Sequence, residues 1–191
     1  NCQKRMQEEG MTHKNQLQGY LVRHIEAFLR ERGRTVIGWD ESVETGLPGI
    51  FQASGSLGQG LSVAAGIALG KKMDKEAEKV YVMMGDGECE EGQIWEAAMF
   101  AAHYKLDNLV AVLDWNGLQI DGAITEVMNP TPHDEKFSAF GWHVISIDAH
   151  DFDQIEAAFA EARTVSGKPT VIIAKSVKGK GVSYMENKCE W

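Results

Sequence analysis

From residue 56 onward, short apolar runs alternate with segments of helical length. The runs are rich in β-branched residues and are bounded by polar or glycine-containing stretches, which is typical of buried strands. The intervening segments have the length and apolar spacing of helices packed on a sheet. Such alternation predicts an α/β fold with a parallel sheet covered on both faces, in three layers. The predicted strands are 79–84, 109–114, 142–148 and 170–175, and the predicted helices are 56–73, 90–105 and 151–163.

Two of these helices begin with residues suited to a helix N-terminus. Ser56 precedes the first helix, and Asp151 opens the last one. A side-chain oxygen at this position can accept a hydrogen bond from a free backbone N–H of the first turn. We expect Ser56 to be the N-cap of its helix.

The first 46 residues have a different pattern. Residues 15–31 carry apolar side chains at helical spacing, and a short β-like run follows at 35–39. The polar stretch DESVETGLPG, from residue 40, is the best candidate for a domain boundary. We therefore predict a helix–strand appendage at 1–46 and the α/β domain at 48–191. The apolar stripe of the helix should be buried against that domain or a second copy of the chain. Its members are Leu17, Leu21, Ile25, Phe28 and Leu29.

The composition is that of a globular protein and argues against several classes. The chain has 191 residues, of which 43% are hydrophobic and 25% charged. A net charge of −9 disfavours nonspecific nucleic-acid binding, and the lack of an 18-residue apolar run argues against a membrane span. The three cysteines are far apart and have no metal-binding or disulfide spacing, so we expect a cytoplasmic location.

Candidate chemistry lies at the ends of two neighbouring predicted strands. Asp86 follows the first strand within Gly-Asp-Gly, and Asn116 follows the second. Consecutive parallel strands end at the same edge of a sheet, so the two side chains can converge where α/β proteins bind ligands. The flanking glycines, Gly85 and Gly87, allow close backbone approach, and the next helix offers free N–H groups to an anion.

A carboxylate and an amide oxygen suit a hard cation. Mg²⁺ commonly takes one or two protein carboxylates and completes its shell with phosphate oxygens and water. The Leu118 carbonyl could add a third protein ligand. The alternative is a tight turn with a solvated aspartate, which is the commoner meaning of an isolated Gly-Asp-Gly. Asn116, 30 positions after Asp86, favours the metal interpretation.

Gly-Asp-Gly followed about thirty residues later by Asn resembles the motif of thiamine diphosphate enzymes. Longer segments are similar to transketolases over roughly residues 48–191, and in particular to the N-terminal subunit of the two-chain bacterial enzymes. These segments are ASGSLGQGLSVAAGIALGKK, GDGECEEGQIWEAAMFAAHYKLDNLVAVLDWNGLQIDG, FGWHVISIDAHDF and GKPTVIIAKSVKGKGVSYMEN.

The resemblance implies a metal and cofactor site. Asp86 and Asn116 would bind Mg²⁺, with Ca²⁺ as an alternative, through their side chains, and Leu118 through its carbonyl. Gly87 would lie against the diphosphate of thiamine diphosphate. Taken without the resemblance, the glycines could instead serve only close packing.

Five further residues acquire roles from the same resemblance. Gly55, Ser56 and Leu57 would form a loop near the phosphates or ring of the cofactor. Glu91 would act in catalysis by coupling cofactor sites across a dimer, and Lys178 would close over the cofactor. The alternative is structural, because Glu91 could simply favour a helix N-terminus and Lys178 could be a solvated loop charge.

The family reaction moves a two-carbon ketol unit from a ketose phosphate to an aldose phosphate. The glutamate that activates the cofactor belongs to a separate pyrimidine-binding domain. The resemblance therefore implies a partner subunit or domain of that kind, in a homo- or hetero-oligomer. We expect the chain to be inactive alone.

Residues 1–46 fit the transketolase pattern less well. Histidines of the Gly-His-Pro and Lys-Gly-His type, which contact cofactor and sugar phosphate in the family, are absent from the sequence. NQLQGYLVRHIEAFLRERGRTVIGWDE instead resembles a barrel segment of β-N-acetylhexosaminidases, without their catalytic Asp-Glu pair. We thus expect a fusion of two fragments, joined between Glu44 and Pro48 and cut at the C-terminus. Two alternative functions stay open, a catalytically inactive binding or structural module and a glycoside hydrolase remnant.

Overall fold

The computed structural model describes residues 56–190 continuously and, before them, residues 4, 7–12, 20, 24, 27 and 31. The chain divides into two compact units, Asn1–Ser56 and Leu57–Trp191. The predicted strand 35–39, the predicted junction between Glu44 and Pro48, and most of the predicted helix 15–31 lie outside the described residues. In the first unit, the described residues 4, 7, 8, 20, 24 and 27 are helical.

Strands and helices alternate along the second unit, as the sequence predicts. The elements in chain order are α1 (Gln59–Met73), β1 (Val80–Gly85), a 3₁₀ turn (Gly87–Glu90), α2 (Gly92–His103), β2 (Leu109–Trp115), β3 (Leu118–Gln119), β4 (Gly122–Ala123), α3 (Ile124–Val127), α4 (His133–Ala139), β5 (His143–Asp148), α5 (Phe152–Thr164) and β6 (Thr170–Lys175).

A four-stranded sheet of order β1-β2-β6-β5 forms the centre of this unit, and all its neighbouring strands are parallel. Gly85 at the end of β1 pairs with Asp114 near the end of β2, which in turn pairs with Ala174 of β6. The carboxyl ends of three adjacent strands therefore lie at one edge. The short strands β3 and β4 form a separate antiparallel hairpin directly after β2.

Both faces of the sheet are apolar, which explains why its inner strands are continuous hydrophobic runs. In β2, Leu109, Ala111 and Leu113 pack into one core cluster, whereas Val110 and Val112 pack into the other. Helices α1, α2 and α4 cover the first face, and α5 covers the second. Their core residues include Leu61, Ala64, Ala65 and Ala68 of α1, Ile94, Ala97, Ala98 and Ala101 of α2, Phe137 of α4, and Ala158 and Ala162 of α5. The predicted α/β architecture with helices on both faces is confirmed.

The predicted helix starts are confirmed in one case and wrong in another. Asp151 caps α5, where its carboxylate accepts hydrogen bonds from the N–H groups of Asp153 at 3.0 Å and Gln154 at 3.1 Å. Helix α1 starts later than expected, because its N-cap is Gly58 rather than Ser56. Gly58 has φ 87, a left-handed conformation that favours glycine and breaks the helical path before it.

The predicted helix 90–105 is also divided. Glu91 adopts an extended conformation, with φ −71 and ψ 125, between the 3₁₀ turn and α2. The 3₁₀ turn connects the end of β1 to helix α2, which packs on the first face of the sheet. Within residues 56–190 and the described positions before them, no helix is both long and apolar enough to cross a membrane.

Candidate functional site

Asp86 occupies the turn that follows β1 and is 1% exposed. One carboxylate oxygen accepts from the Gly87 N–H at 2.8 Å, and the other accepts from the Gly117 N–H at 2.6 Å. Burial raises the pKa of Asp86, and these hydrogen bonds oppose the rise. The carboxylate therefore joins the loop after β1 to the loop after β2, next to Asn116.

Asn116 has a fixed side-chain orientation. Its Nδ2 donates to Asp114 Oδ2 at 3.1 Å, and its Oδ1 accepts from the Leu118 N–H at 2.9 Å. Asp114 also accepts a hydrogen bond from the Ser176 hydroxyl, which follows β6. A carboxylate can only accept, so the amide nitrogen must face Asp114 and the amide oxygen must lie on the opposite side. Two adjacent strand ends, those of β2 and β6, thus contribute to the orientation of this oxygen.

The predicted metal ligands thus occupy adjoining loops. Asp86 contacts the residue after Asn116, and Leu118 begins the hairpin strand β3. In the described part of the chain, no group of three or more His, Cys, Asp and Glu side chains could hold a metal ion. An aspartate, an asparagine and a backbone carbonyl form a different donor set, one that fits Mg²⁺ sharing its shell with phosphate and water. Direct coordination by these three residues stays a prediction.

Gly87 packs closely against the hairpin. A Cβ at this position would lie 3.0 Å from the Cβ of Gln119, so a larger residue would push the hairpin away. The Gln119 amide donates to Glu90 at 2.8 Å and fixes the hairpin on the 3₁₀ turn. Gly87 therefore sets the distance between the loops, whatever else it contacts.

The turn before α1 is bound to the segment after β1. Glu88, 6% exposed, accepts from the Gly58 N–H at 2.8 Å and from the Gly85 N–H at 3.0 Å. The Gln93 side chain donates to the Leu57 carbonyl at 2.9 Å. Leu57 is therefore held at the same edge of the sheet as the Asp86 turn, and its role in a cofactor-binding loop stays a prediction.

The remaining predicted site residues are not brought to Asp86 by the contacts described. Gly55 lies outside the described residues, and Ser56 is an exposed residue at the end of the first unit. Glu91 is an exposed N-cap of α2 without a side-chain capping bond. Lys178 lies in the loop after β6, where its carbonyl accepts from the Asn187 N–H at 3.0 Å. Their roles stay predictions.

Cys89 is the one sulfur in this turn, and its environment argues against a nucleophilic role. The residue is 1% exposed. Burial raises the pKa of its thiol to about 12, and the nearby carboxylates of Glu88 and Asp86 add to the effect. The thiol is therefore protonated at neutral pH, and cysteine chemistry is not expected here.

Sequence reasoning missed Glu88, Asp114 and Ser176. Asp114 gave a usable signal, because it is a charge at the end of the apolar run of β2, in VLDW. Glu88 gave none, because a buried carboxylate in a turn cannot be told from a solvated one by pattern alone.

A parallel sheet with a buried aspartate and an oriented asparagine at its carboxyl edge defines a cofactor-binding domain of the α/β class. Residues 13–191 match the family described as transketolase, thiamine diphosphate binding domain, so the chain belongs to this family.

Individual relatives agree with this assignment. The chain is 49% identical to a 6-deoxy-6-sulfo-D-fructose transketolase subunit of Clostridium sp. (strain MSTE9), over 73% of this chain and 51% of the relative. It is 43% identical to one of the subunits of the apulose-4-phosphate transketolase of Phocaeicola vulgatus, over 91% of this chain and 60% of the relative. A transketolase structure from Campylobacter jejuni superposes with a TM-score of 0.72 at 34% identity, covering 78% of this chain and 24% of that one.

These matches bear on the first 46 residues as well. The family match begins at residue 13, within the segment that resembled a glycoside hydrolase, and gives that resemblance no support. The chain spans between half and two thirds of the length of the two subunit relatives.

Proposed function

We propose that the chain binds Mg²⁺ and thiamine diphosphate at the carboxyl edge of its sheet and forms one subunit of a two-chain transketolase. The observation that carries this proposal is the Asp86–Gly117 hydrogen bond, which places a buried carboxylate beside the loop of Asn116. When bound, thiamine diphosphate supplies the carbon–carbon bond chemistry of a two-carbon ketol transfer between sugar phosphates. The protein supplies binding, orientation and exclusion of water.

Each of the metal-site residues has a defined task in this proposal. The Asp86 carboxylate and the Asn116 amide oxygen bind the metal by their side chains, and the Leu118 carbonyl adds a third oxygen. Asp114 keeps the amide oxygen of Asn116 turned away from its own carboxylate. Gly87 leaves room for the diphosphate beside the turn.

The proposal also gives roles to residues that contact the cofactor or couple cofactor sites without binding the metal. Gly55, Ser56 and Leu57 contribute to cofactor binding in this proposal, and Leu57 among them lies in the turn before α1. Lys178 closes over the bound cofactor with a positive charge, and Glu91 transmits the state of one cofactor site to another across an oligomer interface.

A partner with a pyrimidine-binding domain is part of the proposal. Both subunit relatives are named as parts of larger enzymes, which supports a two-chain arrangement. Helix α2 exposes apolar side chains to solvent, with Met99 at 56%, Phe100 at 37% and the adjoining Tyr104 at 46%. Apolar surface of this kind commonly marks an association site. We propose that the partner subunit packs on this surface.

A calorimetric titration tests the binding proposal. The full chain is titrated with thiamine diphosphate in the presence and absence of Mg²⁺, with Asp86→Asn as the test and Asp74→Asn as the control. Asp74 is exposed at the end of α1 and undergoes the same chemical change. We expect Mg²⁺-dependent binding that Asp86→Asn weakens about tenfold or more and Asp74→Asn leaves unchanged. Equal affinities of the wild type and Asp86→Asn would refute the metal assignment.

A second experiment tests the dependence on a partner. Ketol transfer from xylulose 5-phosphate is measured with the chain alone and after addition of a pyrimidine-domain subunit from a two-chain transketolase. We expect activity only in the mixture. Turnover by the purified chain alone would contradict the proposal, whereas cofactor binding without activity in the mixture would favour an inactive binding module.

A further inference from the structure

Glu88 is a buried acidic residue to which the proposed cofactor chemistry gives no task. Its two carboxylate oxygens are used separately, one for the Gly58 N–H at 2.8 Å and the other for the Gly85 N–H at 3.0 Å. Gly58 is the N-cap of α1, and Gly85 is the last residue of β1. One side chain therefore connects two backbone segments that lie on either side of a long helix in the sequence.

The turn before α1, which Glu88 holds, has a conformation that depends on contacts with other segments of the chain. Gly58 has φ 87, and no side chain caps α1 in the usual way. A Cβ at Gly58 would lie 2.8 Å from the Gln93 Nε2 and from the Glu91 Cβ, so the turn sits tightly on the start of α2. A buried carboxylate makes stronger hydrogen bonds to its two N–H donors than a neutral acceptor would. Its negative charge also interacts favourably with the positive N-terminal end of the α1 dipole.

We propose that Glu88 is a positioning residue that fixes the Leu57–Gly58 turn against the Gly-Asp-Gly turn, so that both present one preformed cofactor surface. The expected effect on cofactor binding rests on the proposed function. The pair of hydrogen bonds from Gly58 and Gly85 to Glu88, here called the clasp, is a property of the chain itself. Glu88 acts through the backbone of Gly58 and Gly85. Preformed sites bind more tightly because less ordering is needed on binding.

The substitution Glu88→Gln tests this role with little change in shape. The amide has one oxygen, so it can accept from only one of the two N–H groups, and its own NH₂ faces the other donor. Glu88→Asp keeps the charge but is shorter by one methylene. Glu90→Gln is the matched control, because Glu90 lies in the same 3₁₀ turn and accepts from Gln119 instead.

The first measurement is amide hydrogen exchange by NMR on the full chain without cofactor. In Glu88→Gln, the Gly58 or Gly85 amide should exchange about tenfold faster or more, because the hydrogen bond that protects it is lost. The Gly117 amide, bonded to Asp86, is the internal reference and should change little. Glu90→Gln should leave Gly58 and Gly85 as in the wild type. Unchanged exchange at both amides in Glu88→Gln would overturn the clasp.

The second measurement is the affinity for thiamine diphosphate with Mg²⁺, at a temperature where circular dichroism shows every variant to be folded. Glu88→Gln should weaken binding about tenfold, and Glu88→Asp should regain part of the loss, which general destabilisation would not produce. Wild-type affinity in Glu88→Gln would overturn the positioning role. If the wild type does not bind the cofactor, the proposed function fails, and the exchange result alone decides whether the clasp exists.

Discussion

His133 provides the sharpest prediction about stability. It is the first residue of α4, is 0% exposed, and neither ring nitrogen has a hydrogen-bond partner among the described residues. Its ring lies edge-on to Trp115, with the ring centroids 5.4 Å apart. The pKa of His133 is lowered to about 4, chiefly by burial and also by the charge of nearby Lys136, while Asp134 opposes the change. The imidazole is therefore neutral in the folded protein at neutral pH.

The depressed pKa makes the free energy of unfolding depend on pH. An unfolded histidine has a pKa of 6.5, against about 4 for folded His133. Between these values the unfolded chain binds a proton that the folded chain does not, so acid favours unfolding. The stability is fully present above the unfolded pKa and is lost as pH falls toward the folded pKa. Between pH 7 and pH 5, the loss from this one residue is about 2 kcal/mol.

The perturbation is His133→Phe, which keeps an aromatic ring beside Trp115 and removes the titrating group. Urea unfolding of the wild type and the variant at pH 7 and pH 5 gives four free energies of unfolding. The free energy of unfolding of the variant minus that of the wild type should be about 2 kcal/mol larger at pH 5 than at pH 7. Phe137→Leu, a core change in the same helix, should lower stability equally at both pH values. A wild-type-minus-variant difference that is the same at both pH values would refute the reasoning.

Three further predictions concern individual contacts. Gly58→Ala should destabilise the chain by about 1–3 kcal/mol in urea unfolding, because the residue has φ 87; unchanged stability would mean that the turn rearranges freely. Gly179→Ala should destabilise it similarly, because a Cβ there lies 2.7 Å from the Met185 backbone; a wild-type unfolding midpoint would contradict that contact. Asp114→Asn should weaken Mg²⁺-dependent cofactor binding about tenfold by freeing the Asn116 amide; calorimetry showing wild-type affinity would exclude this orienting role.

The regular core of the α/β domain could be predicted from the sequence. The predicted strand 170–175 coincides with β6, the predicted strands at β2 and β5 differ from the observed ones by one residue at one end, and the predicted strand 79–84 is displaced by one residue from β1. The inner strands β2 and β6 are largely buried on both faces, so each reads as an almost continuous apolar run in the local sequence. Parallel pairing of β1 and β2 then placed Asp86 and Asn116 at one edge without further information.

The details that were missed depend on contacts between distant residues. Helix α1 begins at Gln59 because Glu88, 30 residues after Gly58, and Gln93 hold the preceding turn. Helix α4 has seven residues, too few to show a helical period, and it is stabilised by burial of Phe137 in the core. The hairpin after β2 has strands of two residues each. No local pattern specifies elements of this length.

A structure of the chain with thiamine diphosphate and Mn²⁺ tests the central claim most directly. Mn²⁺ accepts the same oxygen ligands as Mg²⁺ and can be located by its anomalous scattering. The account predicts one metal peak at the carboxyl edge of the sheet, about 2.1 Å from an Asp86 carboxylate oxygen and from the Asn116 amide oxygen, with the diphosphate on its other side. A bound diphosphate whose metal contacts neither side chain, or a metal peak at another edge of the domain, would contradict it.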